Sequence, residues 1–185
     1  MTKPIYIPDY VPCVPANINR DRLWNELDWE RREGAPRREY WQNDYGLAYT
    51  YGQGAGQRTY EAKTWDHFVD EYRRRLNEEF GYKIDCCFLN GYNDERDALG
   101  WHSDDSPEMN PEQPVITLSL GAERNISFRP LGSKDPSEIE TIRLGHGSIC
   151  IMPPGFQQTH QHKIPKGDRQ GMSFRISLTY RGMIV

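Results

Sequence analysis

Residues 172–181 read Met-Ser-Phe-Arg-Ile-Ser-Leu-Thr-Tyr-Arg. In an extended chain successive side chains point to opposite faces, so Arg175, Ser177, Thr179 and Arg181 share one side while Ile176, Leu178 and Tyr180 share the other. Two guanidiniums and two hydroxyls on one face are costly to bury unless something anionic meets them, and a dicarboxylate would meet them well. The alternative is an exposed edge strand carrying ordinary surface arginines.

Working back from this strand, short alternating or apolar runs separated by turn residues recur at 158–163, 148–152, 138–144, 125–129, 115–120 and 84–90. Their number and spacing predict an all-β sandwich or barrel. The pattern ahead of residue 84 is different. Trp65, Phe68, Val69, Tyr72 and Leu76 fall on one helical face, with Thr64 as a candidate N-cap and Gly81 as a stop. A first helix is expected over 17–33, capped by Asn17 or Asn19, striped by Leu23, Trp24 and Leu27 and ended by Gly34. Prolines at 4, 8, 12 and 15 predict an extended start, and 47–51 (Leu-Ala-Tyr-Thr-Tyr) a short strand. The expected class is mainly β with N-terminal helices (α+β): a double-stranded β-helix, or jelly roll, braced by two helices. One domain covers 1–185, with an N-terminal extension and helix at 1–35, a separate segment at 36–62 and the jelly-roll core at 84–182.

Composition narrows the function. Net charge is -4, with 36% hydrophobic and 27% charged residues. That disfavours a sequence-independent binder of polyanions, which needs many phosphate-neutralising cations. Basic clusters remain at Arg31–Arg32, Arg37–Arg38, Arg73–Arg75 and around Lys163, Lys166 and Arg169. Cys13, Cys86, Cys87 and Cys150 form no C-x-x-C pair and read as reduced thiols, and no apolar run has signal-peptide or membrane-spanning length. An intracellular protein is expected, with no membrane association.

Trp101-His102-Ser103-Asp104-Asp105 carries the main chemical signal. At i and i+2 of an extended segment, His102 and Asp104 can point at one ion, and a second histidine would complete a two-histidine, one-carboxylate triad suited to Fe(II). The later histidines are His146, His160 and His162. His160 and His162 share a face, so spacing leaves both open; His146, between Gly145 and Gly147, reads more plainly as a tight turn.

The ordered set Pro36-Arg37, Tyr49-Thr50-Tyr51, Asn90-Gly91-Tyr92-Asn93, 101–105, Ser119-Leu120-Gly121-Ala122 with Arg124, 144–148, His162-Lys163-Ile164-Pro165 and 175–181 resembles the AlkB family of Fe(II)/2-oxoglutarate dioxygenases, in particular its nucleic-acid repair branch. The resemblance runs from about Pro36 to Arg181. It implies Fe(II) bound by His102, Asp104 and His162, with these as the catalytic centre, and 2-oxoglutarate and O2 as co-substrates. His162 is preferred to His160 because relatives carry this histidine a few residues before a proline. The resemblance further implies that Asn90 and Tyr92 hydrogen-bond 2-oxoglutarate and that Arg175 and Arg181 pair with its carboxylates, assisted by Ser177 and Thr179. Ser177 departs from the family pattern, which commonly has Asn there. Tyr51, with Tyr49 beside it, resembles the aromatic that stacks on a flipped base. Trp101 is a further candidate for substrate contact, and Asp105 resembles the acid at the base edge. Segment 36–62 becomes a nucleotide-recognition lid, mobile at Gly52–Gly56. The implied reaction is oxidative demethylation of N-alkylated bases, of the 1-methyladenine and 3-methylcytosine type, in DNA or RNA. The substrate would be single-stranded or flipped out of a duplex, and the enzyme a monomer, cytoplasmic in a prokaryote or virus-infected host and nuclear in a eukaryote.

Overall fold

The arginine-bearing strand, Arg175–Arg181, is buried along its whole length and hydrogen-bonded on both sides. It is therefore no edge strand, and its polar face looks inward. The computed structural model describes residues 3–31, 37–52 and 57–185. In chain order the elements are β1 (Ile5–Ile7), α1 (Cys13–Glu26), β2 (Arg37–Asn43), β3 (Tyr49–Tyr51), β4 (Arg58–Tyr60), α2 (His67–Phe80), β5 (Cys86–Tyr92), β6 (Leu99–His102), β7 (Val115–Gly121), β8 (Arg124–Pro130), β9 (Glu140–Leu144), β10 (Ile149–Met152), β11 (His160–Ile164) and β12 (Arg175–Arg181). A six-stranded sheet runs β1-β10-β7-β12-β5-β2, a four-stranded sheet runs β6-β11-β8-β9, and β3 and β4 form a separate hairpin. Every strand pair in these sheets is antiparallel. Antiparallel sheets in this order agree with the jelly roll expected for the core.

The register of the large sheet sorts its residues into two faces. Tyr40, Leu89, Leu178 and Leu118 lie in one row across β2, β5, β12 and β7. Together with Ile116, Ile176 and Tyr180 they pack against Leu23 of α1 and Phe68, Val69, Tyr72 and Leu76 of α2. The helices thus seal the outer face, which is why α2 carries its apolar residues as one stripe. The inner face holds other rows: Glu39, Asn90, Ser177 and Ser119 in one, Arg37, Tyr92 and Arg175 in the next. Between the sheets, Phe128, Ile126, Val115, Met152 and Phe156 form a second core.

The element boundaries differ from expectation in instructive ways. The first helix spans 13–26, not 17–33, and neither Asn17 nor Asn19 caps it. Pro15 falls in its first turn, where a missing N–H costs nothing. The helix ends when Leu27 becomes extended and the Trp29 indole donates to the Leu23 carbonyl at 2.9 Å. In α2 the cap is Asp66 rather than Thr64; its carboxylate accepts from the amides of Phe68 and Val69 and receives a bidentate Arg22 from α1 at 2.7 and 2.9 Å. Gly81 ends the helix in the left-handed region. Arg37–Asn43, inside the segment read as a lid, is a seven-residue strand of the large sheet. Of the expected mobile stretch Gly52–Gly56, residues 53–56 lie outside the described residues, as do Arg32, Gly34 and Pro36.

Candidate metal centre and active-site cavity

His102 ends β6, and β11 pairs with β6 so that His162 stands directly opposite it. The two imidazole centroids are 4.2 Å apart. Asp104, two residues past His102, turns its carboxylate between them: Oδ1 is 3.7 Å from His102 Nε2 and Oδ2 is 3.9 Å from His162 Nε2. One ligand atom from each of the three residues falls within 4.8 Å of the others. Ligand bonds of about 2 Å to a shared first-row divalent ion span such separations. His102 Nδ1 lies 2.8 Å from the Gly100 carbonyl, a hydrogen bond that leaves Nε2 to face the ion. The Asp104 amide donates to Gln157 Oε1 at 3.0 Å, fixing the loop.

The electrostatics suit a cation. Burial raises the Asp104 carboxyl, but Arg181, His162 and His102 outweigh it and hold the group below its ordinary value. His162 is pushed down to about 3, chiefly by burial, then by His102 and Arg181 against the opposing pull of Asp104. It is therefore held neutral, the state a metal ligand requires. Between pH 6.5 and 3 the unfolded chain binds a proton at this position that the folded chain refuses, so stability falls as pH falls through that window. His146, lowered mainly by burial, acts in the same direction. The metal-free protein, kept so by a chelator, is expected to lose up to about 1.4 kcal/mol per pH unit below pH 6.5. A melting temperature that stays flat between pH 7 and 5 would contradict this.

Beside the triad lies a cavity walled by Tyr51, Tyr60, Phe88 and Leu99, with Asn90, Tyr92, Ser177, Thr179 and Arg181 on its floor. Arg181 Nε is 3.9 Å from Asp104 Oδ2, and its Nη1 donates to the Tyr49 hydroxyl at 3.3 Å. Arg175 is 1% exposed and donates only from Nη2, to Ser119 Oγ at 2.9 Å and Ser177 Oγ at 3.5 Å. Its Nε and Nη1 have no hydrogen-bond partner, nor does Arg181 Nε. Burial pulls the Arg175 guanidinium down to about 10. Orphaned donors on a desolvated cation are what a carboxylate of 2-oxoglutarate would satisfy, so this donor set fits that co-substrate as the triad fits Fe(II).

Not every residue singled out in the sequence reaches the cavity; Arg175 itself lies behind the lining, against Tyr92 and Ser177. Tyr49 and Tyr51 both line it. Tyr49, however, is 2% exposed and packed against Trp41 and Phe88, with Arg181 over its ring, while Tyr51 is the freer ring; burial and then the Asp104 charge raise its hydroxyl. Trp101 points away from the cavity, its ring covered by Arg129 at 4.3 Å and Lys163 at 4.6 Å. Asp105 is exposed and lines no part of it. His160 is stacked on Phe156 at 4.3 Å and stands outside the triad. His146 accepts from the Gly121 amide at 2.8 Å, a turn-holding role. The cavity also contains two residues of β2: Arg37, which the sequence offered in the Pro36-Arg37 pair without a role, and Glu39, which it did not single out. The available signal was the i, i+2 spacing of Arg37 and Glu39 in Arg-Arg-Glu-Tyr-Trp-Gln-Asn.

Comparison with known proteins agrees with this site. A family profile described as the 2OG-Fe(II) oxygenase superfamily matches residues 22–181. Among curated proteins, the chain is similar to the alpha-ketoglutarate-dependent dioxygenase alkB homolog 3 of Rattus norvegicus, 28% identical over 188 residues, covering 94% of this chain and 62% of the relative. It is also similar to the DNA oxidative demethylase ALKBH2 of Mus musculus, 30% identical over 154 residues, covering 80% of this chain and 62% of the relative. The chain thus spans about three fifths of the length of these relatives. Among solved structures, that of OsALKBH1 superposes with a TM-score of 0.67 at 14% identity, covering 98% of this chain and 99% of the other, a likeness of fold. With the profile covering most of its length and the two histidines and one aspartate converging beside the buried Arg181, the chain belongs to the 2OG-Fe(II) oxygenase superfamily.

Proposed function

We propose that this protein is an Fe(II)- and 2-oxoglutarate-dependent dioxygenase that oxidatively demethylates N-alkylated bases, of the 1-methyladenine and 3-methylcytosine type, in single-stranded or flipped-out DNA or RNA. The observation that carries the proposal is the placement of His102, Asp104 and His162 at the end of an aromatic-walled cavity whose floor carries Arg181 and is backed by Arg175. Fe(II) with bound 2-oxoglutarate and O2 supplies oxidation of a C–H bond, releasing succinate and carbon dioxide. The protein's part is positional. His102, Asp104 and His162 would hold the metal. Arg175, with Tyr92 beneath it at 5.3 Å, and Arg181 would pair with carboxylates, while Asn90, Ser177 and Thr179 offer hydrogen bonds on the same floor. Tyr51 would stack on the base and exclude water. The names of the relatives, one of them a DNA oxidative demethylase, support a nucleic-acid substrate. A base reaches such a cavity only outside the helical stack.

The test is a panel of oligonucleotides bearing single methylated bases, incubated with Fe(II) and 2-oxoglutarate. Succinate and formaldehyde are expected in equal amounts from 1-methyladenine or 3-methylcytosine, and neither formaldehyde nor a mass loss from unmethylated controls. Succinate release that no methylated oligonucleotide stimulates would overturn the nucleic-acid reading.

A further inference from the structure

Glu39 is a carboxylate for which the metal centre has no use. It is 2% exposed on β2, yet it lines the active-site cavity. Of the acidic residues lining that cavity, Asp104 faces the metal position and Glu39 is the other. Its register partner is Asn90, and Arg37 lies between the two: Nε donates to Asn90 Oδ1 at 3.1 Å and Nη2 to Glu39 Oε1 at 3.3 Å. Arg37 therefore screens the co-substrate floor from the Glu39 charge. On the opposite side the β3–β4 hairpin approaches. Tyr60 donates to Glu39 Oε2 at 2.8 Å and Arg58 stays 3.8 Å away, a third exposed. Only the tyrosine bond is short. A carboxylate offers about four lone-pair sites and these contacts take one on each oxygen, so this cavity-lining group keeps acceptor capacity among the described residues.

Resting on the reading of the site as a base demethylase, we infer that Glu39 is the specificity-determining residue of the substrate pocket: it accepts a hydrogen bond from the exocyclic amino group of the alkylated base and balances that base's positive charge. The chemistry of the walls agrees. Tyr51 and Tyr60 present aromatic surface to a cation, which favours a charged base over a neutral one. 1-Methyladenine and 3-methylcytosine carry both a positive charge at neutral pH and an amino group beside the alkylated nitrogen. 3-Methylthymine carries neither, and would turn a carbonyl oxygen towards a buried carboxylate. Asp105, the acid expected from sequence to read the base edge, lies past the end of β6 on the surface; Glu39 would take that role from β2.

The experiment is Glu39→Gln, which keeps the shape and an acceptor for Tyr60 but removes the charge and adds a donor. In wild-type protein, kcat/KM is measured on 1-methyladenine, 3-methylcytosine and 3-methylthymine oligonucleotides, and the Kd of each is measured anaerobically by fluorescence anisotropy. In the variant the preference for the two cationic bases over 3-methylthymine is expected to shrink at least about tenfold, in kcat/KM and in Kd alike, because an unmatched buried polar contact dominates such discrimination. Equal losses on all three substrates would make Glu39 only a latch for the β3–β4 hairpin and overturn the inference, leaving the demethylase reading intact. A wild-type protein inactive on every methylated oligonucleotide would instead sink that reading and the inference with it.

Discussion

Replacing Asp104 by alanine is expected to abolish Fe(II)-dependent turnover and loosen the fold in the same step. Asp104 is the acid of the triad, with its carboxylate oxygens 3.7 and 3.9 Å from the two histidines, and it is also the anionic neighbour of Arg181 at 3.9 Å. Removing a group that merely orients a ligand costs about 10–100-fold, so losing the ligand should exceed about 100-fold in turnover and in metal affinity. The stability effect has a separate cause. Arg181 is 4% exposed, and without Asp104 its charge keeps only the Tyr49 hydroxyl and the faces of the Tyr49 and Phe88 rings among the described residues. Stranding a buried charge costs about 3–5 kcal/mol, and the long separation here places the effect near the lower figure. The two effects separate in the double variant Asp104→Ala/Arg181→Met. Stability should recover most of the loss, because no charge is left buried, while turnover stays absent. Metal titration and denaturant unfolding of both variants check this. Full turnover in Asp104→Ala would end the account of the metal centre.

The second large effect has opposite signs for stability and for function. Arg175→Met is expected to raise the stability of the protein measured without 2-oxoglutarate, and to raise the KM for 2-oxoglutarate at least about 30-fold, the equivalent of about 2 kcal/mol at the low end for a buried charge pair. In the folded chain Arg175 pays desolvation with two donors unpartnered, and burial pulls it down to about 10. Replacing a buried ion with an apolar side chain of similar volume is neutral to stabilising by about 1–4 kcal/mol. The residue is therefore a cost in the empty protein that only a bound anion offsets. Arg175→Lys should not restore affinity, because an ammonium lacks the planar fork that meets a carboxylate with two bonds. An Arg175→Met protein that is destabilised, yet keeps its KM, would assign the arginine a structural role instead.

How much of this was legible in the sequence depends on which side of a strand carries the site. Strands 115–121 and 175–181 are readable because one face is apolar against the helices and alternation survives. Strand 37–43, Arg-Arg-Glu-Tyr-Trp-Gln-Asn, hides because its inward face is the cavity itself: Arg37 and Glu39 stand where a core strand would carry aliphatic residues. A functional face erases the pattern by which strands are recognised. The first helix is misplaced for a different reason. Its polar sequence buries little beyond Ala16 and Leu23, so caps and prolines rather than a stripe had to locate its ends.

Which side chains share a face could be read locally. Alternation put Arg175, Ser177, Thr179 and Arg181 together and aimed His102 and Asp104 one way, because the two-residue period of an extended chain is a local property. The choice between His160 and His162 could not come from that period, since both obey it; the pattern of relatives could favour one, but only the pairing of β11 with β6 sets His162 opposite His102 and leaves His160 stacked on Phe156. The same holds for Asp105 turning outward and Glu39 turning in. Register is fixed by hydrogen bonds between segments some sixty residues apart, His102 against His162, and such long-range pairing leaves no periodic trace in either segment alone.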